Sequence, residues 1–411
     1  MDGNQSHFGI STLVTHVAEG EDPLHAHVSP IYQTSTFGFE NVDHSAAIFQ
    51  PDKPGYFYTR LGNPNQSQAA RKIAVLEGLD LLRAQPGRPE EEIVSGLLFS
   101  SGMAAITSAI LARVRAGQTI IAQEALYSAT YGFLSKLAPR YGVRVVWLRD
   151  PAPERWEQAF REHPDAVLAY VESPSNPTMA VVDLAAIVEI AHRYQAWVLA
   201  DNTFASPYGQ RPLTLGADVV IHSTTKYLSG HGVVIGGAVV SRHPDFVQGD
   251  LHTQLEMLGG SASPFDAWLT NLGLKTFELR MQRHCQNALQ VARFLEGHPA
   301  VARVFYPGLE SHPGHEIARK QMSAFGGMMS FELKGGLKAG VNMMNRVRLC
   351  SLAVSLGTVD TLISHPASMT HRLVPPEARR QMGITDGLVR FSVGIENIED
   401  ILADLDQAMR A

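Results

Sequence analysis

Cysteine is nearly absent: 411 residues hold only Cys285 and Cys350. A secreted chain of this length usually carries more, in pairs, so a reducing compartment, the cytoplasm, is expected. Long apolar runs are missing too. The longest are of strand length, far below the ~20 residues of a membrane-spanning helix, and residues 1–15 lack the basic start and apolar core of a secretory signal. Basic charge is not in excess: 34 Lys and Arg face 40 Asp and Glu, a mildly acidic net charge of −6. That excludes the basic face through which proteins bind nucleic acid or a membrane surface. Neither an HExxH nor a CxxC motif occurs, so the 17 histidines, including the His312/His315 and His365/His371 pairs, suggest no metal site. Both cysteines stand in apolar surroundings and read as packing residues.

What is present is 45% hydrophobic residue, distributed in seven short apolar runs. They cover Val94–Phe99, Thr119–Ala122, Val143–Leu148, Ala166–Val171, Trp197–Ala200, Asp218–His222 and Val233–Val240. Stretches with helical character, such as Gly102–Val114 and Leu184–Tyr194, separate most of them. This alternation predicts an α/β domain whose mainly parallel sheet is covered by helices on both faces. After about Phe277 a helical run, Arg283–Glu296, precedes separated strands at Met328–Leu333 and Val389–Val393 and a closing helix at Ile398–Met409, predicting a smaller α+β C-terminal domain. Residues 1–63 show little periodicity and read as an arm lying over another surface. The expected organisation is therefore 1–63 arm, 64–277 large domain, 278–411 C-terminal domain.

In open α/β sheets ligands sit beyond the carboxyl ends of the strands. Three ends here carry polar clusters: Glu172-Ser173-Pro174-Ser175-Asn176-Pro177, Asp201-Asn202-Thr203, and Ser223-Thr224-Thr225-Lys226. Any one alone reads equally as a turn or helix cap; together, an acid, hydroxyls and a lysine outline a site. Pyridoxal 5'-phosphate (PLP) asks for such a set. Its ring nitrogen needs a carboxylate, which Asp201 supplies, and its aldehyde needs an amine, which Lys226 supplies 25 residues on. Its phosphate needs donors. Ser100-Ser101-Gly102-Met103 ends a strand and opens a helix, whose free N–H groups attract anions, and the Ser223 and Thr225 hydroxyls add to it. Taken singly, the Ser-Gly turn is an ordinary helix start and a lysine is usually a surface residue.

These residues resemble the Cys/Met-metabolism family of PLP enzymes, the γ-family of fold type I. The resemblance runs from PIYQTSTF at 30–37 through ESPSNPT at 172–178, DNTF at 201–204, HSTTKYLSGHG at 222–232, SLG at 355–357 and HPASMTH at 365–371 to RFSVG at 390–394. It implies the aspartate-aminotransferase-like fold, with a seven-stranded sheet. It also implies Lys226 as the Schiff-base lysine, Asp201 as partner of the ring nitrogen, and Tyr127 as the ring stacked on the cofactor and the acid for the leaving group. Ser101, Gly102, Met103, Thr203, Ser223 and Thr225 would line the cofactor. Tyr58 and Arg60 would reach the phosphate of a neighbouring subunit, completing a site shared within a homo-oligomer, expected to be a tetramer. Arg390, with Asn176 and Ser355, would hold the carboxylate of a small amino-acid substrate.

The C-terminal half looks most like the γ-lyases of methionine and cystathionine, notably in SPFDAWL at 263–269, which implies α,γ-elimination. The same core residues would also serve γ-replacement on an acylated homoserine. Two positions depart from the methionine-lyase pattern. Ala129 stands where a cysteine is usual, and Leu255-Glu256 replaces a Lys-Asp pair. Both substitutions leave open cystathionine or another γ-substituted amino acid, such as canavanine, as substrate.

Overall fold

The apolar runs become β1 (Ser95–Phe99), β2 (Thr119–Gln123), β3 (Arg144–Leu148), β4 (Ala166–Glu172), β5 (Trp197–Asp201), β6 (Val219–His222) and β7 (Gly237–Ser241) in a computed structural model. It describes residues 7–20, 22, 24–50, 55–370, 372–373, 375–381 and 383–410. The strands form one sheet in the order β1-β7-β6-β5-β4-β2-β3. From β6 to β3 every pairing is parallel, and β7 runs antiparallel to both β1 and β6.

Strand alternation explains why both faces are covered. Ile120, Leu168, Tyr170, Leu199, Ile221 and Val239 pack with Ile106 and Ile110 of helix Gly102–Arg113. Their neighbours of opposite parity, Ile121, Ala169, Val171, Val198 and Ala200, meet helices Pro153–Glu162 and Leu184–Arg193. Towards the other edge, Val220, Ala238 and Val240 join helices Pro64–Glu77 and Pro264–Leu274. Each buried Val, Leu or Ile among these contributes roughly 1.5–3 kcal/mol. The polar residues at the strand ends are thus carried on a rigid, two-sided core.

A second sheet follows from β8 (Val301–Phe305), β9 (Met328–Leu333), β10 (Ser351–Leu352), β11 (Leu362–Ser364) and β12 (Leu388–Ser392), in the order β10-β11-β12-β9-β8. Only β10 and β11 pair in parallel. One face buries Met329, Phe331, Val389 and Phe391 against helices Phe277–Gly297 and Ile398–Met409. The alternate residues Ser330, Arg390 and Ser392 therefore face away from that core. Ser330 Oγ donates to Pro177 O at 2.6 Å, which ties this sheet to the loop after β4.

Two expectations need correction. Val233–Val240 is a strand only from Gly237; residues 233–236 instead hydrogen-bond the lysine turn, with Thr224 N–H donating to Gly236 O at 3.0 Å and Gly236 N–H to Thr225 Oγ1 at 3.0 Å. Val233 and Ile235 consequently stay exposed. The helix expected at Arg283 starts at Phe277; buried Arg280 interrupts the apolar pattern of its first turns. Within residues 1–63, helix Ile10–His16 buries Leu13 and Val14, and Lys72 Nζ donates to Val14 O at 2.9 Å and Glu19 Oε1 at 2.6 Å. A seven-residue helix is too short to show a period.

Cys350 is buried and Cys285 half-buried, and neither forms a disulfide. Burial pushes the Cys285 thiol up to about 12. Among the described residues no three His, Cys, Asp or Glu side chains are grouped to hold a metal; His371 lies outside them. No described helix is long and apolar enough to cross a membrane.

Candidate active site

Asp201 is the last residue of β5 and pairs in register with Ile221 of β6, which turns into the Lys226 segment. Parity places its carboxylate on the face covered by helix Gly102–Arg113. Burial raises its pKa, while the Thr203 hydroxyl and N–H, the latter donating to Oδ1 at 3.0 Å, pull it back. Thr203 also fixes the next strand end, because its Oγ1 accepts from Ser223 N–H at 2.9 Å. Lys226 ends the tight turn that follows, its N–H donating to Ser223 O at 3.2 Å.

The Lys226 amine donates to Ser355 Oγ at 3.2 Å. Burial first, and then the charge of Arg390, push it down to about 8. A lysine in that state exchanges its proton readily near neutrality. Arg390 Nη1 donates to the backbone O of the same Ser355 at 3.2 Å, and burial pushes its guanidinium down to about 10. Its Nε is buried without an acceptor among the described residues, an orphan that costs about 1–3 kcal/mol unless an anion arrives. Gly357 seats this loop: its φ is +74°, and a Cβ there would lie 2.7 Å from Tyr227 N, so only glycine lets Ser355 approach Lys226 this way.

Beside this group lies an anion cradle. Ser101 caps helix Gly102–Arg113, its Oγ accepting from Ala104 N–H at 3.0 Å, which leaves the first N–H groups of Gly102 and Met103 at the positive helix end. A Cβ on Gly102 would lie 3.0 Å from Ser223 Cβ and fill the space between them. Thr225 completes the turn through Gly236.

Tyr127 is held by its backbone: its N–H donates to Glu172 Oε2 at 2.8 Å while the ring is 43% exposed, free to cover a ligand. Asn176 N–H donates to Glu172 Oε1 at 2.9 Å. Tyr58 and Arg60 form a separate group. Tyr58 bridges to Thr36, and the Arg60 guanidinium lies 5.5 Å from the Tyr58 ring and donates to Glu256 O. Ala129 is half-buried next to Tyr127, whereas Leu255 is 3% exposed and packs in the sheet core.

Three supporting residues were given no role in the sequence reading. Glu172 pairs in register with Asp201, and burial and that neighbouring carboxylate push it up to about 8. Glu77 Oε1 accepts from His222 Nε2 at 2.6 Å and Asn202 Nδ2 at 2.7 Å, bracing the ends of β5 and β6. Arg280 donates to Tyr227 O at 2.7 Å and Leu228 O at 3.3 Å, supporting the lysine turn from helix Phe277–Gly297. Glu172 was visible as the polar end of an apolar strand; nothing local marks Glu77 or Arg280.

The donor set suits PLP: a buried amine for the aldehyde, a buried carboxylate one strand over for the ring nitrogen, and a hydroxyl-lined helix start for the phosphate. Fold and site together define a PLP enzyme of fold type I. The family model of Cys/Met metabolism PLP-dependent enzymes matches residues 11–410, and the chain belongs to that family. It is 46% identical to an L-methionine gamma-lyase of Porphyromonas gingivalis, covering 98% of this chain and 97% of that one. It is 39% identical to a cystathionine gamma-lyase of Bacillus subtilis, with 97% and 98% covered. A crystal structure of cystathionine gamma synthase from Xanthomonas oryzae pv. oryzae in complex with cystathionine superposes with a TM-score of 0.88 at 38% identity, covering 98% of each chain.

Proposed function

We propose that this chain catalyses α,γ-elimination on a γ-substituted L-amino acid, releasing 2-oxobutanoate, ammonia and the γ-substituent, a thiol when the substrate is methionine. The observation that carries it is Ser355, which touches Lys226 through its hydroxyl and Arg390 through its carbonyl. An amine and a guanidinium fork thus converge on one residue, the pairing that the amino acid's own amine and carboxylate call for.

Bound PLP supplies the electron sink that stabilises negative charge on substrate carbon, and Lys226, Asp201, Thr203, Ser223, Thr225, Ser101, Gly102 and Met103 hold it. Arg390 grips the substrate carboxylate with a bidentate fork, assisted by Asn176 and Ser355. Lys226, whose pKa burial and Arg390 push down to about 8, would remove the α-proton of the substrate and move protons between its carbons. Tyr127 orients by stacking and protonates the departing γ-group. Tyr58 and Arg60 serve the phosphate of a neighbouring protomer, with residues 1–63 as the arm that delivers them, 64–277 as the cofactor domain and 278–411 as the substrate-side domain. The assembly is then a homo-oligomer, a tetramer of two such dimers, in the cytoplasm, where its two unpaired thiols are stable.

A second reading concerns the leaving group. Leu255 sits in the core rather than presenting a cation, and Ala129 offers no thiol, so neither position carries the group usual in methionine lyases; cystathionine or canavanine is the competing substrate. Incubation with a panel of γ-substituted amino acids, with products identified by mass spectrometry, tests both. 2-Oxobutanoate from at least one member is expected, and none from any would overturn the elimination reading. Homocysteine formed from O-acetylhomoserine and sulfide, in place of 2-oxobutanoate, would assign replacement instead.

A further inference from the structure

We propose that Glu172 is a positioning residue of this site, whose one carboxylate sets the separation between the Tyr127 ring and Asn176 by accepting the backbone N–H of each. The inference rests on the reading above, in which Tyr127 covers the cofactor and Asn176 meets the substrate carboxylate.

Tyr127 N–H reaches Oε2 at 2.8 Å and Asn176 N–H reaches Oε1 at 2.9 Å. These two residues stand 49 positions apart on different loops, one after β2 and one after β4, and the carboxylate joins them. The clasp is itself anchored. Gln123, 1% exposed at the end of β2, accepts Glu172 N–H at 3.2 Å on its amide oxygen. Its amide nitrogen donates to Glu172 O at 2.9 Å and to Ala125 O at 2.8 Å. The loop that leads to Tyr127 is thereby pinned to the same strand end that carries Glu172.

A carboxylate is the side chain that meets this geometry, because it offers equivalent acceptors on both oxygens. A glutamine of equal size would accept one N–H and set its own NH2 against the other. The arrangement is retained at a cost. Glu172 is 4% exposed and lies opposite Asp201 in the strand register, so two carboxylates share one buried strand end. Burial and Asp201 raise the Glu172 pKa, and the N–H donors of Tyr127 and Asn176 pull it back. A residue serving only to cap the turn after β4 would be relieved of that repulsion by a neutral hydrogen-bonding side chain.

The test uses PLP-loaded wild type, E172Q and E172A. Glycine, which has the α-carboxylate but no γ-group, is titrated while the cofactor's visible absorbance and circular dichroism are followed, alongside thermal melts. A lost charged hydrogen bond is worth about 1.5–3 kcal/mol, so E172Q should weaken glycine binding roughly 10-fold or more and diminish the dichroism of the cofactor band. The loss in kcat/KM should lie mainly in KM, and E172A should exceed E172Q in each readout. Unchanged glycine affinity and dichroism in E172Q, whatever happens to its melting temperature, would overturn the proposal by showing a merely structural role. E172Q, isosteric with the native residue, carries the test if E172A does not fold. Absence of any cofactor band in the wild type would overturn the PLP reading itself, a distinct failure.

Discussion

The amine of Lys226 lies 3.2 Å from the hydroxyl of Ser355, a residue 129 positions further along the chain. The lysine is fixed by the end of β6 and the serine by a loop that leads into the second sheet, so the contact closes the site between the two sheets. Ser355 also receives Arg390, which places a permanent cation beside the lysine and, after burial, helps to depress its pKa.

That proximity sets the pH dependence of cofactor loading. Neutral amine is the form that attacks the aldehyde, and burial with Arg390 favours it by bringing Lys226 down to about 8. The rate at which apoprotein takes up PLP should therefore rise with pH to a midpoint near 8 and flatten above it. A profile still climbing towards the ordinary lysine range would show that the amine is not so enclosed. R390A removes the like charge and should move the midpoint upward.

Arg390 should also dominate substrate affinity. R390A is expected to raise KM for the amino-acid substrate by about 10- to 100-fold, the value of a charged hydrogen-bond pair. R390K should restore it only in part, because a point charge replaces the fork. Equal KM in wild type and R390A, measured by steady-state kinetics, would remove the carboxylate role.

Much of this site was legible in the residues. The apolar runs ending in Glu172, Asp201 and the Ser223–Lys226 segment were read as polar strand ends, and these runs are the adjacent strands β4, β5 and β6. Ser355 and Arg390 were reachable only by resemblance, since nothing in a run of sequence says that a loop and a strand of the second sheet fold onto the first. Arg280 went unnoticed, because a buried charge satisfied by backbone carbonyls reads locally as a solvent-facing position. Glu172 was seen as polar but not as a clasp, since its two partners are backbone groups and side-chain patterns do not report those.

Site sharing between protomers can be tested by complementation. K226A and R60A, each inactive or weak alone, are denatured together and refolded. Half of the resulting dimers are hybrids, in which one site receives Lys226 from one chain and Arg60 from the other, so activity should recover to about a quarter of wild type. Recovery no greater than the sum of the separate variants would place Arg60 in its own chain's site or outside the chemistry.

Acid should destabilise the fold through two buried imidazoles. His284 donates from Nδ1 to Val393 O at 2.7 Å, and burial pushes both it and His312 down to about 4. Both are neutral when folded and take up a proton on unfolding, so between about pH 6.5 and 4 the unfolded state binds more protons and stability falls as pH falls. Denaturant melts across this range should show the decline, and H284Q, which loses that titration, should flatten part of it. A wild-type stability independent of pH from 6.5 to 4 would contradict the assignment.

The account turns on a covalent bond at one side chain. Reducing the PLP-loaded protein with borohydride, digesting it and sequencing the peptides by mass spectrometry should find the pyridoxyl group on Lys226, and K226A should yield no labelled peptide. Label on a different lysine, or an unlabelled protein that still turns over amino acids, would contradict it.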